Sequence, residues 1–221
     1  MEKPRMTEAE RRAICQEITA TVGLEPRLNR LLTAVHEAGH AIVGHTVGFK
    51  VAGASVVNTA VLGLEDGDRV DFDFSPFGDG EIPLSDLLAM RMAGFQATHM
   101  WLRGRGAAAG APEFQTALNM MSSSDIVKCY EHCAQVGMPA VSTTREGLYG
   151  GALILKWRWR AVLRLAYVLA RVGTLDADQL RPHLDADLRT HQGAVDAYRA
   201  WQKRTSSVWM VQETAGHLGK R

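Results

Sequence analysis

Leu31, Leu32, Val35, Ala38, Ile42 and Val43 recur at three- and four-residue steps, which places them on one side of a helix. Pro26 suits the first turn of that helix and Gly48 its stop, so the pattern predicts a helix over 26–48. Upstream, Thr7 and Glu10 make a capping box for a helix that ends near Gly23. Between 50 and 76 the spacing turns from helical to alternating. Val51, Val56, Val57, Val61 and Leu62, then Val70-Asp71-Phe72-Asp73-Phe74, read as short strands around the turn Glu65-Asp66-Gly67-Asp68. Residues 77–83 read as a loop. Helical spacing returns over 84–102, 113–121, 125–136, 152–172, 176–184 and 192–202. The Gly/Ala stretch 104–112, the serines 122–124, and Gly137 with Pro139 serve as breaks, and 142–151 reads as a mobile loop. Nothing obliges the tail, 205–221, to pack, so it is expected to be poorly ordered. The fold class that follows is mainly α with a small β-sheet (α+β). The expected organisation is an N-terminal helix in 1–25, a main domain over 26–204 and a flexible tail.

Composition narrows this picture. With 221 residues, 46% of them hydrophobic, the chain has material for one domain with a real core. A formal net charge of +1 gives no electrostatic reason to expect nucleic acid. The most apolar stretch, 152–172, carries Lys156, Arg158, Arg160, Arg164 and Arg171, a charge load that argues against a transmembrane segment. The charged opening, MEKPRMTEAERR, has no apolar signal region, and the cysteines, Cys15, Cys129 and Cys133, are odd in number. A reducing cytoplasm is the expected location.

The chemistry lies in His36-Glu37-Ala38-Gly39-His40. Histidines four apart on a helix project from one face and can grip one cation. Zinc suits them, because imidazole is a borderline ligand and zinc accepts a tetrahedral site with one open position. Glu37 points beside the metal, where it can act as general base and later return the proton to the leaving amine. The metal lowers the pKa of a water molecule at its open position from roughly 16 to about 7. H-E-x-x-H arises by chance in such a chain on the order of once in a hundred. The plain alternative is a helix that happens to carry these residues. Against it, the motif lies inside a well-formed amphipathic pattern, and small Ala38 and Gly39 leave room above a metal.

A third ligand is required. Val43 and Thr46 stand where a metzincin needs Gly and His, and His45, five residues after His40, is turned away from the metal face. Glu65 has the spacing of a thermolysin-type ligand but sits in the Gly/Asp turn. Asp125, in Ser122-Ser123-Ser124-Asp125-Ile126, stands at a helix start, where backbone N–H groups would keep it ionised and aimed. Spacing alone leaves two roles open for it: third ligand, or simply the N-cap of its own helix.

Thr33-Ala34-Val35-His36-Glu37-Ala38-Gly39-His40-Ala41-Ile42-Val43-Gly44 closely resembles the metal helix of the FtsH-type zinc proteases. In that family the third ligand is an aspartate in a Ser/Asn-Asp-Ile/Leu segment far downstream. Ser124-Asp125-Ile126, followed by Gly137-Met138, matches it. Leu165-Ala166-Tyr167-Val168-Leu169-Ala170 and Gly173-Thr174-Leu175 resemble the closing helices, so the likeness spans roughly residues 30 to 185. The resemblance implies a zincin-like helical peptidase domain over 26–204, with Zn2+ held by His36, His40 and Asp125, and Glu37 as the catalytic base. It also implies a polypeptide substrate. The family's Gly-Gly-Arg-Ala-Ala-Glu-Glu segment is replaced by Met92-Ala93-Gly94-Phe95-Gln96-Ala97-Thr98, and the residues contain no Walker motif or membrane anchor. A stand-alone copy without the motor is expected to cut extended or unfolded chains, or to need a separate unfoldase or delivery partner. The family's hexamers are organised largely by its ATPase, so the oligomeric state stays open.

Two rival functions fit the same motif. Cytosolic peptidases of the ImmA/IrrE kind carry a similar metal helix and cleave a regulator, but take a glutamate ligand from a Glu-x-x-Ala-x-x-Phe-Ala type segment that is absent here. A non-catalytic adaptor could keep the zinc fold, although it would have no use for Glu37. Elsewhere, Val70, Phe72 and Phe74 mark a candidate substrate-binding edge strand, or an ordinary edge guarded by Asp71 and Asp73. Cys129 and Cys133 read as buried free thiols rather than as part of a second metal site with His132. Trp157, Trp159 and the five basic residues around them could meet an acidic partner or a membrane surface. The commoner arrangement buries Leu155, Val162, Leu163, Ala166 and Leu169 and leaves the arginines in water.

Overall fold

The computed structural model describes residues 26–56, 69–75, 82–105, 118, 122–205 and 210–211. The expected helix over 7–23, the strand positions Val57, Val61 and Leu62, and the turn at 65–68 lie outside these residues. So does the expected helix over 113–121 except for Leu118, which is helical and buried.

The chain is mainly helical with a small antiparallel sheet. Helix α1, Pro26–Val47, is followed by strands β1, Lys50–Ser55, and β2, Arg69–Asp73; β3, Ile82–Pro83, leads into α2, Leu84–Arg103. Next come α3, Ser123–Gln135, α4, Ala140–Val172, and β4, Thr174–Asp176; α5, Ala177–Leu184, and α6, Leu188–Thr205, follow, and β5, Met210–Val211, closes the series. Helices α1, α2 and α4 pack on one another to form the centre of the molecule, with α3 laid across α2 and α4, and α6 along α4. Their shared interior holds Val35, Ala38, Ile42, Leu87, Ala93, Ile154, Val162 and Leu169. Strand β1 lies between β2 and β4, in antiparallel register with both: Lys50 faces Asp73, and Ala54 faces Val70 on one side and Leu175 on the other. Strand β5 of the tail pairs with β3 through Ile82–Val211 and Pro83–Met210.

Glycine explains the largest departure from the sequence reading. The segment 142–151, expected as a mobile loop, is helical and forms the first part of the 33-residue α4. Its glycines, Gly147, Gly150 and Gly151, are breakers by local propensity but small by contact. A β-carbon at position 147 would meet Leu88 Cβ at 2.5 Å, and one at 151 would meet the Ala89 carbonyl oxygen at 2.9 Å. Gly147 and Gly151 let α4 approach the backbone of α2, and Gly150 makes room for Tyr198 and Trp201 of α6; that packing outweighs a propensity cost of about 1 kcal/mol each. The helix ends at Gly173, whose φ of +89° suits a residue without a side chain.

A second departure concerns Arg158. It was expected in water with its neighbours, yet it is fully buried. Its guanidinium donates to the carbonyls of Leu184, Ala186 and Asp187, at the C-terminal end of α5 and the turn after it. Helix ends leave carbonyls unsatisfied, and a planar guanidinium can serve several of them at once. Lys156, Arg160, Arg164 and Arg171 are exposed as expected. Leu155, Val162, Ala166 and Leu169 are buried, and Leu163 is half-buried. Helix α5 starts where the sequence placed it, with Asp176 and Gln179 forming a reciprocal capping box at 2.9 and 3.0 Å.

Candidate metal centre

Three elements converge on one buried point. Helix α1 contributes His36 and His40, whose rings share a face because they lie one turn apart. Their Nε2 atoms are 3.0 Å apart. Helix α3 contributes Asp125, whose Oδ2 lies 3.4 Å from His36 Nε2 and 3.2 Å from His40 Nε2. All three residues are buried, and among the described residues they are the group of side chains that could hold a metal ion. Helix α2 supplies the wall. The Met90 carbonyl accepts from His40 Nδ1 at 2.8 Å, which leaves Nε2 of the neutral ring as a lone-pair donor facing the cluster.

The donor set fits a small divalent cation. A tetrahedral zinc site with arms of about 2.0–2.1 Å has ligand-to-ligand edges of roughly 3.3–3.4 Å. The three edges here are 3.0, 3.2 and 3.4 Å. Gly94 on α2 leaves the space that such an ion needs. A β-carbon there would lie 2.4 Å from His40 Nε2 and 2.5 Å from His36 Nε2. Sequence reasoning passed over Gly94, although a glycine inside an otherwise regular helical pattern signals a close approach. It credited Ala38 and Gly39 with making that room instead. Gly39 serves the crossing of α1 and α2: its β-carbon would meet the Ala93 carbonyl oxygen and Ala97 Cβ, each at 2.7 Å.

Of the two roles left open for Asp125, its place beside the imidazoles fits the ligand and departs from the N-cap. Helix α3 begins at Ser123, with Ser122 at the N-cap, so Asp125 lies within the first turn and is not the cap. The imidazoles, more than helix-end N–H groups, hold it charged. Burial works against its ionisation, but the rings of His40 and His36 outweigh that and keep the carboxyl far below the usual range. The two rings respond differently. Burial dominates at His36 and depresses its proton affinity. At His40 burial is overcome by Asp125, helped by the Glu37 charge and the Met90 carbonyl, and proton affinity rises. One proton or one cation therefore satisfies the cluster, and the two compete for it.

Glu37 is buried beside this cluster on α1. Val70, Phe72 and Phe74 form a separate group. They are half-buried against the core, and Phe72 lies over Gly44, one turn beyond His40. Phe49 joins them, 6.1 Å from Phe72 and 5.4 Å from Phe74 between ring centroids. Their side chains pack against the core, and among the described residues β2 is an edge strand that presents its backbone outward. His45 is turned from the metal face, as its spacing required, and pairs with Asp185 at 3.2 Å. Cys129 and Cys133 are buried free thiols, with burial holding the Cys129 thiol well above its usual range. Glu65 lies outside the described residues. No helix among the described residues is long and apolar enough to cross a membrane.

No protein-family model matches the chain, and neither does any curated protein sequence.

Proposed function

We propose that the protein is a zinc metallopeptidase that hydrolyses peptide bonds in extended or unfolded polypeptides. One observation carries this: Asp125, remote in sequence, meets His36 Nε2 and His40 Nε2 at 3.4 and 3.2 Å inside a buried cluster. His36, His40 and Asp125 would hold the ion, with the Met90 carbonyl fixing the tautomer of His40. Bound there, zinc would supply Lewis acidity, polarising a carbonyl and lowering the pKa of water to about 7. Glu37, next to the first ligand, takes the proton from the attacking water and returns it to the leaving amine nitrogen. The outer edge of β2 offers backbone groups with which an extended substrate can pair.

Glu37 separates this function from that of a zinc-holding adaptor. Glu37→Gln keeps the shape of the side chain and removes the base. Zinc content should stay at the wild-type level while cleavage of unfolded casein falls by a factor of about 10²–10⁴. Full cleavage by that variant rules the mechanism out. An aspartate ligand likewise separates it from the ImmA/IrrE kind, which would keep its metal without Asp125.

A further inference from the structure

Helix α4 buries one face in the core and turns the other outward. Along the outer face run Tyr149, Leu153, Lys156, Trp157, Arg160, Arg164, Tyr167 and Arg171, at steps of three and four with one adjacent pair. That spacing is a single stripe about 33 Å long at roughly 1.5 Å per residue. Its aromatic rings are open to solvent: Tyr149 is 59% exposed, Trp157 49% and Tyr167 56%. The four cations of the stripe are exposed as well, and the sequence has no acidic residue between Glu146 and Asp176. The rings are supported from behind. Trp157 lies against Gly193 of α6, where a β-carbon would meet the ring at 2.8 Å. Tyr149, Ala152, Leu153, Lys156 and Trp201 line a shallow, largely apolar recess of about 320 Å³.

We infer that this face of α4 docks on an anionic phospholipid surface. Exposed Trp and Tyr carry an apolar body with a polar tip, and Arg and Lys reach past them with long stems, the combination suited to the headgroup layer of a bilayer. The four cations provide charge complementarity to anionic lipid. The stripe is the outward side of one continuous helix, a ridge suited to a broad planar partner, whereas a bound acidic peptide calls for a groove with aimed donors. The inference is independent of the metal centre.

Vesicle flotation with the full chain tests it, comparing phosphatidylcholine vesicles with vesicles containing about 30 mol% phosphatidylserine. Binding is expected on the anionic vesicles only, weakening as salt is raised. Each basic residue is worth about fivefold in partitioning, so Arg160→Ala with Arg164→Ala should lower it about 25-fold. Trp157→Ser with Tyr167→Ser should also release the protein, and a melting curve checks that each variant is folded. Absence of wild-type binding to anionic vesicles overturns the proposal. So does unchanged binding by the folded variants, or retention on polyglutamate without retention on vesicles.

Discussion

Gly94 has no functional group, yet the centre depends on it. The Nε2 atoms of His36 and His40 face the point where its β-carbon would stand, at 2.5 and 2.4 Å. Alanine at 94 therefore puts a methyl group where an ion would sit, although helix propensity alone favours alanine over glycine by about 1 kcal/mol. Gly94→Ala should keep the helical circular-dichroism spectrum and lose bound zinc; wild-type zinc content in that variant would mean that the ion lies elsewhere. The histidines and Glu37 were legible in the sequence because their chemistry depends on spacing within one helical turn. Asp125 was legible only as one of two roles, and resemblance favoured the ligand. Gly94 and the Met90 carbonyl were not legible, because their contributions depend on how closely α2 passes α1, a distance that no local pattern encodes.

Helix boundaries follow the same division. Helices α1, α2 and α5 were readable from their apolar spacing, from stops at Gly48 and at the Gly/Ala stretch that begins with Gly104, and from a start at Asp176. Helix α4 was readable only from residue 152, because Gly147, Gly150 and Gly151 look like breakers until α2 and α6 are placed against them. Their sign under mutation tests that packing. In a mobile loop, Gly147→Ala would be neutral or slightly stabilising. At a helix crossing where the new β-carbon meets Leu88 Cβ at 2.5 Å, overpacking of about 1–3 kcal/mol should exceed the propensity gain. A lowered Tm is expected; a raised Tm would place the segment outside the core. Strand β4 escaped sequence reading because three residues are too few to show alternation.

Across the whole molecule, α1 is joined to the α5–α6 connection by a cluster of His45, Asp185, His191 and the buried Arg158. Burial lowers the proton affinity of both histidines, and Arg158 adds to the effect; Asp185 opposes it. A histidine whose folded pKa lies below its unfolded value of about 6.5 binds its proton more readily in the unfolded chain. Stability from this cluster is thus present above that pH and is lost as pH falls through the folded values. In chelator, where metal binding does not contribute, Tm should fall from pH 7 to pH 5, and His191→Gln should make the fall shallower. An equally steep fall in His191→Gln would remove that histidine from the cause.

The most direct test is zinc content, measured by atomic emission on purified wild type, His40→Ala and Asp125→Ala, with a melting curve to confirm folding. Wild type should carry about one zinc ion per chain, and both folded variants should carry little, since each loses one arm of a three-arm site. Zinc retained by Asp125→Ala at the wild-type level would contradict the assignment, because the carboxylate that closes the cluster would then not be holding the ion.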